Sequence, residues 1–288
     1  MKLTIPKICQ ALSPTWCPGC GNFAILKSLQ QAVAQLKIAY EDLVIVYGVG
    51  CSGNMADFNR VYGFHALHGR AIANAVGIKL ANHRLKVIVV AGDGDTYGEG
   101  LNHFLSAARG NHDITVLVHN NQMYSLTTGQ SSPTTDKGTA TKTTPPPTGV
   151  IEQPVNPLSL ALAANAGFVA RGYAGNARQL IDLVVQAVKH PGFALVDIFQ
   201  PCPTFNKRNT YQWFQQRVYD LTTQKHDPQD QKAALVKAQE QEKLPIGLFY
   251  QNEKSQAYHQ QLPQLKQKTL KQQWQARRQL KSLLKELK

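Results

Sequence analysis

Two carboxylates and one amide are spaced as they would be to hold a cation. Asp93 and Asp95 lie between glycines (GDGD, residues 92–95), directly after the apolar run 86–91, and Asn121 follows the next apolar run along the chain. In a doubly wound sheet the carboxyl ends of parallel strands share one edge, where ligands bind, so Asp93 and Asn121 are expected to be neighbours. Carboxylate and amide oxygens suit Mg²⁺, which usually completes its octahedron with phosphate oxygens and water.

The glycines of this motif favour an anion next to the cation. They leave room for backbone N–H groups to approach a diphosphate, and a helix beginning near Gly98 would point its N-terminus at that charge. A calcium loop over residues 93–104 is the rival interpretation, but Tyr97 and Phe104 occupy its fifth and twelfth positions, and the twelfth requires a bidentate Glu. A plain Gly-Asp-Gly turn would also account for the tripeptide alone.

The cysteines form a second candidate centre. Cys17 and Cys20 make a Cys-x-x-Cys pair in WCPGCGN, and Cys51 and Cys202 each follow a predicted strand. A thioredoxin-like pair needs a strand before it, which is absent from the pattern, and zinc sites usually bring a second close-set pair. Four thiols are the soft donor set of an iron–sulfur cluster or of zinc rather than of a hydrolytic metal site. Their spacing, with Pro203 directly after Cys202, favours iron–sulfur and leaves zinc open. The odd count of five cysteines argues against a disulfide framework.

The elements that must position these residues follow from the apolar pattern. Near-continuous apolar runs are typical of strands buried on both faces of a parallel sheet. Strands are predicted at Leu43–Gly48, Lys86–Ala91, Ile114–His119, Gly167–Tyr173 and Phe193–Phe199. Helices are predicted at Phe23–Leu36, His68–Ala81, Gly100–Arg109, Leu158–Ala166 and Ala177–Lys189, the last with Asn176 as its N-cap. This alternation predicts an α/β, doubly wound, mostly parallel sheet.

Two segments depart from that plan. Residues 127–157 are rich in Thr and Pro, and a loop of this length is usually a lid, a binding loop or disordered. From residue 205 onward there are 16 Lys and Arg against 7 Asp and Glu, so most of the net charge of +13 lies there. We therefore divide the chain into an α/β domain (residues 1–205) and a basic, Gln-rich extension (residues 206–288), which we expect to be an arm with a helical stretch near Leu262–Leu287.

The composition excludes some classes of protein. The basic extension lacks a nucleic-acid recognition motif and an aromatic-studded stripe, so a solvated face or a docking surface for an acidic protein is favoured over nucleic acid. No apolar stretch reaches the eighteen or so residues that a membrane helix needs, and residues 1–15 lack the apolar core of a signal peptide. We therefore expect a cytoplasmic protein without membrane contacts.

The combined motifs resemble those of a known enzyme family. Gly-Asp-Gly followed by 26 residues and then Asn121 resembles the diphosphate-binding motif of thiamine diphosphate enzymes. Together with the Cys-Pro-Gly-Cys-Gly motif, it resembles the β subunit of two-subunit 2-oxoacid:ferredoxin oxidoreductases of the 2-oxoglutarate-oxidising type. The matching stretches are WCPGCGNFAIL (16–26), GVGCSGN (48–54), YGFHALHGRAIANAVGIKLAN (62–82), AGDGDTYGEGLNHFLSAARGN (91–111), NNQMYSLTTGQSSPTT (120–135) and NTYQWFQQRVYDL (209–221).

The resemblance implies cofactors and the residues that hold them. It implies a thiamine diphosphate-binding fold, with Mg²⁺ on Asp93, Asn121 and the carbonyl of Met123. It implies a [4Fe-4S] cluster on Cys17, Cys20, Cys51 and Cys202, and leaves Cys9 as an ordinary thiol. The residues that it implies around thiamine diphosphate are Val49, Gly50, Cys51, Ser52, His68, Gly94, Asp95, Ser125 and Leu126.

The resemblance also implies an activity shared with a second chain. The expected reaction is oxidative decarboxylation of a 2-oxoacid, 2-oxoglutarate or alternatively pyruvate or a broad range, to acyl-CoA and CO₂, with electrons passing through the cluster to ferredoxin. The activating Glu belongs to a separate pyrimidine-binding domain, so no catalytic residue is assigned here, and activity is expected only with an α subunit, as αβ or (αβ)₂. Many relatives carry Lys where this chain has Asn54 and Thr128, which weakens the case for a dicarboxylic substrate.

Two alternatives stay open at this point. The first is a non-redox thiamine diphosphate decarboxylase or synthase subunit whose cysteines hold structural zinc. The second is a cluster-bearing binding module without catalysis of its own.

Overall fold

A computed structural model describes residues 2–274 of the chain. The predicted helical stretch Leu262–Leu287 lies partly outside these residues, and its described part contains a 3₁₀ turn at Pro263–Leu265 and a helix at Leu270–Trp274. Within residues 2–274, no helix combines the length and the apolar character that crossing a bilayer requires.

The described chain alternates strands and helices. The strands are β1 (Leu43–Tyr47), β2 (Tyr62–His65), β3 (Lys86–Gly92), β4 (Thr115–Asn120), β5 (Phe168–Tyr173), β6 (Ala194–Phe199), β7 (Val218–Asp220) and β8 (Leu244–Gln251). The helices are α1 (Ile5–Ile8), α2 (Asn22–Leu36), α3 (Ala71–Ala81), α4 (Leu101–Arg109), α5 (Pro157–Ala163), α6 (Ala177–Lys189), α7 (Tyr211–Gln215), α8 (Gln231–Ala238) and α9 (Leu270–Trp274). All five predicted strands and all five predicted helices are present, with small shifts at their ends.

The strands form one sheet covered by helices on both faces. Their order is β2-β1-β3-β4-β6-β5-β8-β7, and every pair is parallel except β5 with β8. Successive strand residues point to opposite faces, so Val87 and Val89 of β3 belong to the core on the face covered by α3, α4, α5 and α8, while Ile88 and Val90 belong to the core on the face covered by α2 and α6. The predicted doubly wound, mostly parallel α/β fold is therefore confirmed, and its buried apolar runs reflect burial on both sides.

The start of α3 differs from the prediction for a local reason. The predicted helix began at His68, but α3 begins at Ala71. Gly69 has a φ of 70°, in the left-handed region, and the Arg70 amide donates to the Leu67 carbonyl (3.0 Å), so residues 67–70 form a turn. A Cβ on Gly69 would lie 2.5 Å from the Glu99 backbone, so the turn is packed too closely for any other residue.

The helix expected near Gly98 starts earlier and in a different form. A π-helical turn spans Gly94–Glu99, directly after Asp93, and α4 follows from Leu101. Helical backbone therefore begins one residue after Asp93, four residues before the predicted start. Insertions of this π type are frequent at functional sites.

The C-terminal extension contributes to the sheet. Strand β8 pairs antiparallel with β5, β7 pairs with β8, and Ala234 and Ala238 of α8 pack in the core. The sequence pattern did not predict β7 or β8. Pro245 and Gly247 interrupt the apolar pattern of β8, and β7 is only three residues long. The division at residue 205 stays a prediction, but residues 218–251 are part of the fold rather than an arm.

The strand order creates a crevice at one point of the sheet. The chain leaves β1 for β2 on one side, and then crosses to β3 on the other side of β1. Segments leaving β1 and β3 therefore diverge at their carboxyl ends, which is where doubly wound sheets bind ligands. Asp93 follows β3 at this point, and residues 48–53 follow β1.

Candidate functional site

Asp93 is a buried carboxylate with one oxygen left free. It is 1% exposed, and Ser132 Oγ and Thr134 Oγ1 donate to its Oδ2 (2.5 and 2.6 Å). Its Oδ1 is buried and has no hydrogen-bond partner within residues 2–274. Burial raises the pKa of the Asp93 carboxyl to about 6, although both hydroxyls act in the opposite direction. A cation at Oδ1 would offset the cost of burying this charge, so the site suits a metal ion.

Asn121 and Met123 are brought together by a tight turn after β4. Gln122 has a φ of 59°, in the left-handed region, and Asn121 Oδ1 accepts the Met123 amide (3.0 Å). Thr135 Oγ1 donates to the Gln122 carbonyl (2.6 Å), which anchors the turn to the following loop. An amide oxygen has two acceptor sites, so Asn121 Oδ1 can still bind a cation.

Asp95 joins the segments that follow three strands. Its Oδ1 accepts the Gly69 amide (2.8 Å) and the Val49 amide (3.4 Å), and lies 3.0 Å from His68 Nδ1. Burial raises the pKa of the Asp95 carboxyl, and the Gly69 amide is the largest opposing contribution. Because all these contacts are to the protein itself, Asp95 organises the pocket wall by joining the segments after β1, β2 and β3.

The residues predicted to hold Mg²⁺ and thiamine diphosphate line one cavity of about 70 Å³. They are Val49, Gly50, Cys51, Ser52, His68, Asp93, Gly94, Asp95, Asn121, Met123, Ser125 and Leu126. The cavity is much smaller than the roughly 300–1,000 Å³ of typical small-molecule sites, so it matches part of a cofactor better than a whole one. Leu126 is 52% exposed, so part of this wall opens to the surface.

Two further buried atoms in this cavity wall lack partners. Ser52 Oγ and His119 Nε2 are buried without a hydrogen bond in the described part of the chain. His119 Nδ1 lies 2.7 Å from Asn22 Oδ1, and burial lowers the His119 pKa to about 3, so the ring is neutral and Nε2 is an acceptor. Together with Asp93 Oδ1, these free polar atoms fit a diphosphate and its cation better than an apolar ligand.

The four cysteines expected to bind a cluster line a second cavity of about 170 Å³, which includes Cys17, Cys20, Cys51 and Cys202. Burial is the main cause that raises the pKa of Cys20 to about 12 and that of Cys51 to about 11, and neighbouring thiols add to both shifts. Ser125 Oγ donates to Cys202 Sγ (3.4 Å), and Gln200 Nε2 donates to Cys20 Sγ (3.3 Å). The polar contacts to sulfur suit ligands that carry thiolate charge.

The four thiols line a cavity, and they do not converge on the position of a single metal ion. Among residues 2–274, no group of three or more His, Cys, Asp or Glu side chains is arranged to hold a single metal ion. A four-iron cluster is larger than one ion, so its ligands must stand around a cavity, as Cys17, Cys20, Cys51 and Cys202 do. Four thiol donors around one cavity are compatible with an iron–sulfur cluster.

The loop at residues 127–157 supplies functional contacts that the sequence pattern did not indicate. Of the three expectations for this segment (a lid, a binding loop or disorder), a binding loop is compatible with the structure, because Ser132, Thr134 and Thr135 are buried and two of them contact Asp93. The Ser132 amide donates to Thr135 Oγ1 (2.8 Å), a local hydroxyl turn, and this turn directs Ser132 and Thr134 at Asp93. In the sequence, the Ser-Pro-Thr-Thr stretch indicates a turn at this place, but it does not indicate that its hydroxyls contact Asp93.

Comparisons with known proteins agree with this geometry. Residues 48–198 match the family model described as "Thiamine pyrophosphate enzyme, C-terminal TPP binding domain". Residues 202–267 match the family model for the C-terminal region of the pyruvate ferredoxin oxidoreductase beta chain. The first match contains Asp93, Asn121 and the surrounding cavity, and the second begins at Cys202.

Curated relatives and a solved structure extend the similarity over most of the chain. It is 46% identical over 260 residues to the 2-oxoacid:ferredoxin oxidoreductase subunit beta of Saccharolobus solfataricus, covering 86% of this chain and 85% of that protein. It is 44% identical over 191 residues to the 2-oxoglutarate oxidoreductase subunit KorB of Mycobacterium tuberculosis, covering 66% of this chain and 51% of that protein. A solved 2-oxoglutarate:ferredoxin oxidoreductase from Magnetococcus marinus, with 2-oxoglutarate, coenzyme A and succinyl-CoA bound, superimposes with a TM-score of 0.84 at 35% identity, covering 99% of this chain and 90% of that one.

Proposed function

The chain belongs to the β subunits of the thiamine diphosphate-dependent 2-oxoacid:ferredoxin oxidoreductases, and on that basis we propose that it oxidises 2-oxoglutarate. With its α subunit, it converts the 2-oxoacid and coenzyme A to acyl-CoA and CO₂. The electrons leave through a [4Fe-4S] cluster to ferredoxin. The relatives named for 2-oxoglutarate support this substrate.

The observation that carries the proposal is the shared wall of the two cavities. Cys51, Asn121, Ser125 and Leu126 line both the cavity at Asp93 and the cavity of the four thiols. An organic cofactor and a cluster held in these cavities would be separated by a single layer of side chains. This proximity suits a reaction in which electrons pass from the organic cofactor to the iron of the cluster.

The chain's own residues bind and orient the diphosphate end of the cofactor. Asp93 Oδ1, Asn121 Oδ1 and the Met123 carbonyl would hold Mg²⁺, and Ser52 Oγ, which is buried without a partner in the described residues, would be a donor for the diphosphate. Gly50, with a φ of 137° and nothing within 4 Å of a Cβ placed there, leaves open space for the phosphates. Thiamine diphosphate, when bound, supplies the electron-accepting chemistry that decarboxylation of a 2-oxoacid requires.

The missing part of the site belongs to the α subunit. The residues at the mouth of the cavity include Leu126, and Leu67, next to His68, is 79% exposed. Phe64 on the edge strand β2 is 44% exposed as well. Exposed apolar side chains beside an incomplete cofactor pocket suit a partner that buries them and adds the missing pyrimidine-binding part.

The absence of two lysines bears on the substrate. Asn54 lines the thiol cavity, and Thr128 lies in the loop after Leu126 with a φ of 79°. Neither side chain carries the positive charge that would select a second carboxylate. Discrimination of 2-oxoglutarate from pyruvate by this assembly must therefore come from the α subunit or from other residues of this chain, and kcat/KM for the two substrates measures it.

The test of the proposal is reduction of the cluster by substrate. The αβ complex is purified without oxygen, given thiamine diphosphate, Mg²⁺ and 2-oxoglutarate, and frozen for electron paramagnetic resonance. We expect a reduced-cluster signal that requires all three additions. Without any signal, the chain would be a cluster-bearing module lacking the proposed catalysis.

Asp93→Ala separates cofactor anchoring from folding. We expect the affinity for thiamine diphosphate in Mg²⁺ buffer to fall by about tenfold or more. Removing a residue that supports a metal ligand typically lowers metal affinity by about 10- to 100-fold, and removing the ligand itself should lower it at least as much. Asp182→Ala, at an exposed position on α6, serves as the control and should bind as the unaltered complex does. Full affinity in Asp93→Ala would refute the anchoring role.

The zinc alternative is tested by metal analysis of two cysteine variants. The anaerobic protein should be brown, with about four iron atoms per chain and absorbance near ~400 nm, as clustered iron–sulfur thiolates give. Cys202→Ser should lose the iron, whereas Cys9→Ser should keep it, because Cys9 contacts Gln30 and lies outside the thiol cavity. Zinc in place of iron would favour the non-redox decarboxylase or synthase.

A further inference from the structure

A separate cavity of about 440 Å³ lies beside the loop that supports Asp93. Asn120, Gln122 and Thr134 form part of its wall, and none of the residues predicted to hold thiamine diphosphate, Mg²⁺ or the cluster lines it. Its volume falls within the roughly 300–1,000 Å³ of small-molecule sites. The cavity is therefore a candidate for a ligand that the proposed reaction does not use at its centre.

Arg171 is a buried guanidinium with unused donors in this cavity. It lies on β5, is 5% exposed, and its Nε donates to Asp197 Oδ2 (3.2 Å). Its guanidinium carbon stands 4.6 Å from the centre of the Phe199 ring, which fixes the plane of the group. Across residues 2–274, neither of its terminal nitrogens has a hydrogen-bond partner, so four of its five N–H donors are available.

Arg217 adds a second guanidinium to the same cavity wall. Its Nη1 donates to the Trp213 carbonyl (3.2 Å), and its guanidinium carbon stands 4.5 Å from the centre of the Trp213 ring. The contact with the Trp213 ring holds the planar guanidinium in place, and its remaining N–H groups are available as donors to a ligand. Two oriented guanidinium groups are the usual means by which proteins recognise phosphate or carboxylate.

The carboxylates that line the cavity are already occupied. Asp136 accepts from Gln122 Nε2 (3.2 Å) and from Asn209 Nδ2 (3.2 Å). Glu240 accepts the Tyr219 hydroxyl and pairs with Lys237 (2.8 Å). Asp136 also pairs with Arg208 Nε (3.6 Å), so each of the two acids has a cationic partner other than Arg171 and Arg217, and both arginines keep N–H donors for an incoming anion.

We propose that this cavity binds a small organic anion through its phosphate or carboxylate group, with Arg171 as the buried anchor and Arg217 as the second contact. The ligand is distinct from thiamine diphosphate, whose predicted residues are elsewhere. Its effect can reach the cofactor site, because Asp197 also accepts Asn120 Nδ2 (3.1 Å), and Thr134 Oγ1 lies within hydrogen-bond distance of both Asn120 Oδ1 (3.0 Å) and Asp93 Oδ2 (2.6 Å). The single hydroxyl proton of Thr134 can be donated to either residue, so a change at Asn120 alters which of the two receives it.

The test is calorimetric titration of the αβ complex, loaded with thiamine diphosphate and Mg²⁺, with inorganic phosphate and, in a separate series, with succinate. We expect at least one of them to bind once per β subunit. Arg217→Gln should weaken that binding by about tenfold or more, as loss of charged hydrogen bonds does. Arg171→Lys, which keeps a positive charge beside Asp197 but removes the planar fork, should weaken it as well.

Arg178→Gln is the matched control, because Arg178 is an exposed arginine on α6 outside this cavity. It should leave binding unchanged, and all variants should unfold at the same temperature as the unaltered complex. Binding of phosphate alone would identify a phosphorylated ligand, and binding of succinate alone a carboxylate ligand. Failure of both anions to bind, or binding that survives Arg217→Gln and Arg171→Lys unchanged, would overturn the proposal.

Discussion

The hydroxyls of Ser132 and Thr134 define how Asp93 is used. Both donate to Oδ2, so the remaining oxygen, Oδ1, is left for a cation. Oriented contacts of this kind, one step removed from a metal, fix the ligand geometry and typically affect metal affinity by about 10- to 100-fold. Thr134 also connects Asp93 to Asn120, so it is the more informative position to change.

Thr134→Val should weaken binding of thiamine diphosphate and Mg²⁺ by about tenfold, since Val keeps the volume but removes the hydroxyl that orients Asp93. Isothermal titration of the αβ complex measures this. Thr115→Val is the matched control, because Thr115 is also buried but its hydroxyl donates to the Ala187 carbonyl rather than to Asp93. Equal affinity in both variants would mean that Thr134 does not act on the metal site.

Motif residues could be identified from sequence, and their supporting residues could not. Asp93 and Asn121 follow strands whose ends must share a sheet edge, so their proximity was predictable from strand order alone. Ser132 reaches Asp93 across 39 positions through an irregular loop, a contact that no local pattern encodes. His119 was read as part of a strand, and only burial in the folded chain reveals its neutral ring and free acceptor.

At the scale of elements, the strands that the sequence predicted are the ones that are buried on both faces of the sheet. The five central strands are apolar on both faces, and all were predicted to within two residues at each end. Strand β2 was missed because all four of its residues are exposed, and β8 because Pro245 and Gly247 interrupt its apolar pattern. Burial on two faces leaves a clear sequence pattern, whereas edge strands depend on pairing partners that lie far away in the chain.

The junction between α6 and β5 makes fold stability depend on pH. His190 ends α6, is 4% exposed, and its ring centre lies 5.7 Å from that of Phe168 on β5. Burial lowers the His190 pKa to about 4, with Asp113 opposing the shift. The unfolded chain therefore takes up a proton below pH ~6.5 while the folded chain does not, so stability falls as the pH drops from about 6.5 towards 4.

Replacing His190 should remove this dependence. Between pH 7.5 and 5.0 the unaltered chain should lose about 2 kcal/mol of unfolding free energy more than His190→Leu does, since one pKa unit corresponds to about 1.4 kcal/mol. Urea titrations of the αβ complex at both pH values provide the measurement. Parallel losses in the two proteins would show that other groups cause the acid sensitivity.

At the scale of the whole molecule, the chain presents half of a pocket. Its cavity at Asp93 holds about 70 Å³, and the surrounding surface carries Leu67 and Leu126 in exposed positions. The sheet, the turn after β4 and the loop at residues 127–157 bring together the residues that we propose for the diphosphate end. The rest of the cofactor needs a surface from elsewhere, and the α subunit is the expected source.

Leu67→Glu should therefore weaken association with the α subunit by about tenfold or more, because a charge would be buried at the proposed interface. Val236→Glu is the matched control: Val236 is 66% exposed on α8, and lines neither the cofactor cavity nor the thiol cavity. Analytical ultracentrifugation of the mixed subunits separates the two variants. Equal dissociation constants for them would place the interface away from Leu67.

Cys51 lies in the segment that lines both cavities, and its carbonyl accepts Trp16 Nε1 (2.6 Å) from the segment that carries Cys17 and Cys20. A shift of the backbone at Cys51 would therefore change the walls of both cavities at once, and Trp16 would transmit a shift of the Cys17–Cys20 segment to the same wall. Under the proposed function, a substitution that retunes one of the two sites has to be compatible with the other.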